Sequence, residues 1–273
     1  MTALGDRTIG VIPARYAATR FPGKLLQDLN GRTVLERVYR RAAQAKSLDL
    51  LLVATDDDRI RRAVAAFGGN AVMTSARPRT GTERVAEACR KIPAKLVVNI
   101  QGDEPFLRPE MIDLVVAELK RDPLVPVATL RKEIEDPEEL SDPNTVKVVT
   151  DLSGLALYFS RSLIPSGGMA PRGKTYKHIG LYGYRKYFLM RLVRLPPSEL
   201  EKREHLEQLR VLENGYKIRV LTVRWETVGV DTPEDLEKAR KLIRQKSEGR
   251  SRKWEVGSGK CRKWEVQKLK KTG

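Results

Sequence analysis

Between Val11 and Lys24 the sequence reads VIPARYAATRFPGK, and Arg15, Arg20 and Lys24 place three cations in it with no acid to balance them. The stretch follows the apolar run TIGVIP at residues 8–13, which reads as a buried strand. Cations and free backbone N–H groups just past the end of a first core strand suit a polyphosphate. Gly23 allows a close backbone approach, and Pro22 stiffens the turn ahead of Lys24. Arg15 and Lys24 are therefore candidate catalytic groups as well as anion ligands. A single loop cation is most simply a solvated side chain, but three together without an acid need a better reason.

A second set of residues carries the opposite charge. NIQGDEP at 99–105 sets Asp103 and Glu104 immediately after another apolar run. Gly-Asp and Glu-Pro are also ordinary turn dipeptides. A carboxylate facing a phosphate needs a cation between them, and Mg²⁺ fills that place with one or two carboxylates plus substrate oxygens. Asp231 in VGVDTPEDLEKAR is the natural partner of Asp103, because Thr232 can cap a helix that has Pro233 at its first position. Asp103 and Asp231 are thus the expected metal pair, with Mg²⁺ as the cofactor. The two familiar phosphate loops do not account for the site. No G-x-G-x-x-G lies near a strand end, and Gly23-Lys24 lacks both the earlier glycine and the following hydroxyl of a P-loop. GSGK at 257–260 follows no strand.

These residues need elements to hold them. Apolar runs at 8–13, 50–55, 70–74, 96–101 and 125–130 read as buried strands. Helical patterns lie between them: TVLERVYRRAAQAK with a capping-box spacing from Thr33 to Glu36, DDRIRRAVAAFGG with acids first and glycines last, TGTERVAEACRKI, and RPEMIDLVVAELKRD. The alternation predicts a mostly parallel sheet flanked by helices, with ligands beyond the carboxyl ends of its strands. After about residue 134 the pattern changes. NTVKVVTDLSGLALYFSR predicts two antiparallel strands joined at Asp151–Gly154, HIGLYGYRKYFL alternates, and PSELEKREHLEQLRVLENG reads as one polar helix ending at Gly215. KIRVLTVRW and TPEDLEKARKLIRQ close the body as a strand and a helix. Residues 1–245 thus read as one domain whose smaller antiparallel lobe, within about 135–220, serves as a lid or insertion.

The chain of 273 residues carries a formal charge of +17, of which residues 246–273 contribute ten Lys/Arg against three Glu. That segment repeats Arg252-Lys-Trp-Glu-Val256 as Arg262-Lys-Trp-Glu-Val266 and reads as a disordered basic tail. Cys89 and Cys261 are too few for a disulfide framework, and His178 and His205 exclude a histidine-rich zinc site. Neither a membrane-length apolar run nor a signal-peptide pattern is visible, which favours a cytoplasmic protein.

IPARYAATRFPGK, VATDD, MTS…TGTER, VNIQGDEP, DPNTVKVV, ALYFSR, HIGLYGYR, LEQLR and GVDTPEDLE occur in that order. Together they closely resemble the 3-deoxy-D-manno-octulosonate (Kdo) cytidylyltransferase family, the CMP-Kdo synthetases, over roughly residues 7–245. The resemblance implies a Rossmann-like α/β nucleotidyltransferase, usually homodimeric through its smaller lobe. It also implies Mg²⁺-dependent transfer of CMP from CTP to Kdo, with pyrophosphate released, for lipopolysaccharide synthesis. By the same resemblance Arg15, Arg20 and Lys24 would hold the CTP phosphates, and Asp103 and Asp231 the metal. Met73, Thr74, Gly81 and Arg84 would surround the nucleotide, with Gln101 near both substrates. Arg161, His178, Tyr182, Glu207 and Gln208 would line the sugar pocket. Ala18 departs from the serine frequent at that place in the family.

Two further readings compete. One is a cytidylyltransferase for another acidic sugar, an 8-amino-Kdo or a sialic acid. The other is a basic nucleic-acid or membrane-surface binder, in which Trp254 and Trp264 among the lysines would make weak contact with anionic membranes. The body, at +10 without the tail, and the acids at strand ends argue against a main role in binding polyanions, so no nucleic acid is required.

Overall fold

The computed structural model describes residues 6–17, 21–166 and 173–250, with side chains as far as residue 245. The first half alternates as its pattern predicts: β1 (Thr8–Ala14), α1 (Val34–Ala42), β2 (Leu50–Thr55), α2 (Asp58–Ala66), β3 (Ala71–Met73), α3 (Gly81–Cys89), β4 (Leu96–Asn99), α4 (Pro109–Arg121) and β5 (Val127–Glu133). The apolar runs become strands because both sheet faces are covered. Every residue of β4 is buried, and so is all of β1 except half-buried Pro13. The helix starts are chemical as well as periodic. Thr33 Oγ1 accepts the Glu36 amide at 3.1 Å, and Asp57 accepts the Arg59 amide at 2.9 Å. Glu36 itself turns away from the cap to pair with Arg40 at 2.7 Å.

The second half adds α5 (Glu138–Ser141), β6 (Lys147–Thr150), β7 (Ala156–Ser160), β8 (Tyr176–Arg185), α6 (Lys186–Leu192), α7 (Glu199–Glu204), α8 (Leu209–Glu213), β9 (Ile218–Val223) and α9 (Pro233–Arg250). The sheet order is β3-β2-β1-β4-β8-β5-β9, and β6 and β7 form an antiparallel ribbon joined to the end of β8. All strands along the main path are parallel to β1 except β8, which runs antiparallel between β4 and β5. This is the mostly parallel α/β sheet that the sequence predicts, with an antiparallel strand near its centre.

Three differences matter. The predicted alternating stretch at 178–189 leaves the sheet at Arg185 and continues as α6. The predicted single polar helix at 197–215 breaks at His205, which adopts φ 54°. The break has a packing cause: α7 buries none of its residues, whereas Leu206, Leu209 and Val211 enter the core. Finally, α9 runs to Arg250, past the boundary set at residue 245, while residues 251–273 of the repeated tail lie outside the described residues.

The two faces of the sheet carry separate cores. Side chains of α1, α2, α4 and α9 cover one face, and those of α3, α6 and α8 cover the other. Far from the site, buried Arg185 ties the end of β8 to the end of α4 and the link that follows it. It donates to the carbonyls of Leu119 at 2.6 Å, Asp122 at 2.9 Å and Val125 at 3.1 Å. Arg185→Met would keep the length and strand all three acceptors. The expected loss is about 2–4 kcal/mol of unfolding free energy, read as a lower urea midpoint. An unchanged midpoint would show that water replaces these bonds at no cost.

Candidate active site

Lys24 reaches the site through a turn that its neighbours dictate. Gly23 sits at φ 72°, and a Cβ there would press on the Tyr16 ring at 3.1 Å, so glycine is needed on two counts. The Gly23 amide closes the loop by donating to the Tyr16 carbonyl at 2.8 Å. Lys24 then opens a short 3₁₀ turn over Lys24–Leu26 anchored by buried Leu25. Its ammonium donates to Asp103 and to Asp231, the latter at 2.6 Å.

The two aspartates arrive from opposite ends of the chain. Asp103 follows β4, where Gly102 lets the backbone approach the Pro13 carbonyl; a Cβ would stand 3.3 Å from it. Asp231 precedes α9, whose capping is reciprocal: Asp235 accepts the Thr232 amide at 3.1 Å, and Thr232 Oγ1 accepts the Asp235 amide at 3.2 Å. A backbone bond from the Val230 amide to the Asp103 carbonyl, 2.9 Å long, locks the two turns together. Burial disfavours the Lys24 charge, but Asp103 and then Asp231 outweigh it and hold the ammonium pKa above its usual value. Glu104 has no such partner among the described residues. Removal from water, then Asp103 and Asp231, push its carboxyl up to about 8.

Two hard carboxylates converging on one cation suit a divalent ion. Among the described residues no group of three or more His, Cys, Asp and Glu could hold a metal. Two protein ligands match Mg²⁺, which keeps waters and takes substrate phosphate oxygens. In the sequence reading Lys24 belongs to the phosphates; in the structure its ammonium rests between the two acids.

The expected nucleotide residues form a neighbouring group. Arg15 donates to the Pro78 carbonyl, and its pKa is lowered by burial first and by Arg84 second. Arg84 is buried and joins Thr74 at 2.5 Å to Asp56 at 2.9 Å. Met73 is exposed at the end of β3, and Gly81 opens α3 against Pro13. Arg20 lies outside the described residues.

A cavity of about 180 Å³ lies beside Asn99 and Gln101, lined also by Gly81, Thr82, Tyr182, Tyr184, Glu207 and Gln208. It therefore gathers Gly81, Gln101, Tyr182, Glu207 and Gln208 of the predicted set. His178 stands next to it through a bulge. In a regular strand residues four apart are separated by about 13 Å. Here the β5–β8 register jumps at Thr129/Leu130, and the rings of His178 and Tyr182 come within 5.2 Å. Gln101 Nε2 donates to the Gly180 carbonyl in that bulge at 3.0 Å. Arg161 is not in the lining. Its guanidinium donates to the carbonyls of Pro143 at 2.9 Å and Glu204 at 3.0 Å.

Sequence reasoning missed Asp56, Thr80, Thr82 and Asn99. Asp56 carried a signal, an acid directly after a buried strand. The threonines were visible only as a helix start, because their partner Glu207 lies more than a hundred residues away.

Burial pushes the His178 imidazole down to about 3 from 6.5. Thr129 Oγ1, 3.0 Å from Nε2, also reaches the Leu181 carbonyl at 2.9 Å. With the threonine proton given to that carbonyl, Nε2–H donates to Oγ1 and Nδ1 is left as an acceptor. The unfolded chain therefore takes up a proton near pH 6.5 that the folded chain refuses until about 3. Stability from this residue is complete above 6.5 and falls with pH by up to about 1.4 kcal/mol per unit. The stability difference between the wild type and His178→Gln should shrink accordingly in urea titrations from pH 7 to 5. A pH-independent difference would contradict the assignment.

A cytidylyltransferase family model matches residues 9–218. A 3-deoxy-manno-octulosonate cytidylyltransferase of Geobacter sulfurreducens is 49% identical over 239 residues, 84% of this chain and 96% of its own length. One of Syntrophotalea carbinolica is 51% identical over 235 residues, 83% of this chain and 94% of its own length. Among solved structures, a CMP:2-keto-3-deoxy-manno-octonic acid synthetase complexed with CTP is 43% identical, has a TM-score of 0.84, and is matched over 88% of this chain and all of its own. A 4-diphosphocytidyl-2C-methyl-D-erythritol synthase from Anaerococcus prevotii shares the fold alone, at 17% identity and a TM-score of 0.59 over 88% of this chain and 99% of its own. With its sheet, its strand-end acids and its similarity over the whole body, the chain belongs to the 3-deoxy-manno-octulosonate cytidylyltransferase family.

Proposed function

We propose that this chain transfers CMP from CTP to Kdo and releases pyrophosphate. The observation that carries the reading is the similarity to relatives of that name; the family match alone, over residues 9–218, includes the turns bearing Lys24 and Asp103 and the residues lining the cavity. The anomeric hydroxyl of the sugar loses its proton to solvent and attacks the α-phosphorus, a P–O bond forms, and the bond to the pyrophosphate oxygen breaks, pyrophosphate taking the electron pair. Such transfer depends on positioning and charge neutralisation. Lys24 and Arg15 supply fixed positive charge at the end of β1. Gln101, Tyr182, Glu207 and Gln208 offer donors and acceptors for sugar hydroxyls from the cavity wall. His178, neutral at working pH, contributes a hydrogen bond and no charge.

Asp103 and Asp231 are the proposed ligands of Mg²⁺, which when bound would neutralise phosphate charge and lower the pKa of the attacking hydroxyl. Arg161, whose guanidinium fork suits the Kdo carboxylate, is proposed to pair with it by leaving its bonds to the Pro143 and Glu204 carbonyls. A homodimer is proposed as well, supported by exposed Leu157 on β7 and exposed Leu163 just beyond it. No helix among the described residues is long and apolar enough to cross a membrane. A cytoplasmic location is proposed because CTP is an intracellular nucleotide.

The direct test is pyrophosphate release with each nucleoside triphosphate, with and without Kdo and Mg²⁺. Only CTP with Kdo and Mg²⁺ should give release. Asp103→Asn and Asp231→Asn should each lose about 2–4 kcal/mol of transition-state stabilisation while remaining folded. Full turnover by either variant at saturating Mg²⁺ would refute the two-carboxylate site.

A further inference from the structure

The first turn of α3 touches both halves of the site. Thr80, Gly81 and Thr82 are consecutive, and Gly81 and Thr82 line the cavity. Thr80 Oγ1 donates to Glu207 Oε1 at 2.8 Å, and Thr82 Oγ1 donates to Glu207 Oε2 at 2.5 Å. One hydroxyl on each carboxylate oxygen fixes both the position and the rotation of the group. Thr80 is itself held, since its Oγ1 accepts the Glu83 amide at 3.2 Å as the cap of α3. Thr82 is buried, and Asn99 Nδ2 donates to its oxygen at 3.5 Å. The Thr82 hydroxyl thus sits among Glu207, Asn99 and the Tyr184 hydroxyl, with the bond to Glu207 shorter than that to Asn99, and Asn99 Oδ1 is buried without a hydrogen-bond partner among the described residues.

Glu207 needs such a clamp. It lies in the irregular link between α7 and α8, just after the left-handed residue His205, where no regular element orients its side chain. A glutamate with free rotamers would lose that freedom on binding a ligand, at the expense of affinity. Each threonine keeps its hydroxyl within reach because the helix start fixes its backbone.

We propose that Thr80 and Thr82 are positioning residues that preset Glu207 for the sugar, so that one helix turn serves the nucleotide side through its backbone and the sugar side through its two hydroxyls. The inference rests on the reading of this cavity as the Kdo half of the site. It adds a role for side chains whose hydroxyls engage another protein group, Glu207. Asn99 and the Tyr184 hydroxyl complete the buried polar cluster around the Thr82 hydroxyl.

Thr82 gives the cleaner test, because Thr80 also caps α3. Steady-state kinetics would compare the wild type, Thr82→Val and Thr82→Ser, varying Kdo and CTP separately. Thr82→Val should raise KM for Kdo about tenfold, the scale of losing a charge-assisted hydrogen bond, and leave KM for CTP within about twofold. Thr82→Ser, which keeps the hydroxyl, should restore KM for Kdo to within about threefold of the wild type. If Thr82→Val does not yield folded protein, Thr82→Ala carries the same expectation. An unchanged KM for Kdo, an equal rise for both substrates, or no recovery with serine would each overturn the proposal. A wild type that forms no CMP-Kdo would instead refute the functional reading beneath it.

Discussion

Two carboxylates that share one cation set the geometry of this molecule's working edge. Asp103 and Asp231 are both held by the Lys24 ammonium, and without a positive charge between them they would repel one another across a partly dry site. The arrangement depends on backbone that only certain residues permit: Gly23 in the left-handed region under Tyr16, Gly102 against the Pro13 carbonyl, and the reciprocal cap of Thr232 and Asp235. Each turn leaves the carboxyl edge of the sheet, where a parallel α/β layer presents its loops to ligands. Burial first, and then the neighbouring Asp103 and Asp231, raise the carboxyl pKa of Glu104.

The antiparallel strand β8 supplies one wall of the cavity. Placed between β4 and β5, it brings the wall of the cavity to the same edge as the charged turns. Its bulge folds His178 against Tyr182 and offers the Gly180 carbonyl to Gln101. The broken helix then delivers Glu207 and Gln208 from the other side. The charged turns and the cavity proposed for the sugar are thus separate in sequence but adjacent in space.

Much of this was legible before folding. Buried strands announce themselves as apolar runs, and helix starts at Thr33, Asp57 and Thr232 obey local capping chemistry that needs no tertiary context. The cations of the first loop and the acids after β4 and before α9 stood out because strand ends in such sheets face ligands. What stayed hidden depends on distant partners. The break at His205 follows from burying Leu206 and Leu209, which a polar helical pattern does not reveal. The insertion of β8 in the sheet, its bulge, and the grip of Thr80 and Thr82 on Glu207 are pairings across long separations that a single sequence does not encode locally. The acid-free loop points Lys24 at a phosphate, and its carboxylate partners in the folded chain come from residues 103 and 231, far along the sequence.

If Asp103 and Asp231 are the metal pair and Lys24 holds their place in the resting chain, ammonium and divalent ion compete for the same oxygens. Mg²⁺ titration of Lys24→Met by calorimetry, without nucleotide, tests this most directly. The account predicts tighter Mg²⁺ binding to Lys24→Met than to the wild type, since one competitor is gone and two like charges remain. Equal or weaker binding would contradict it.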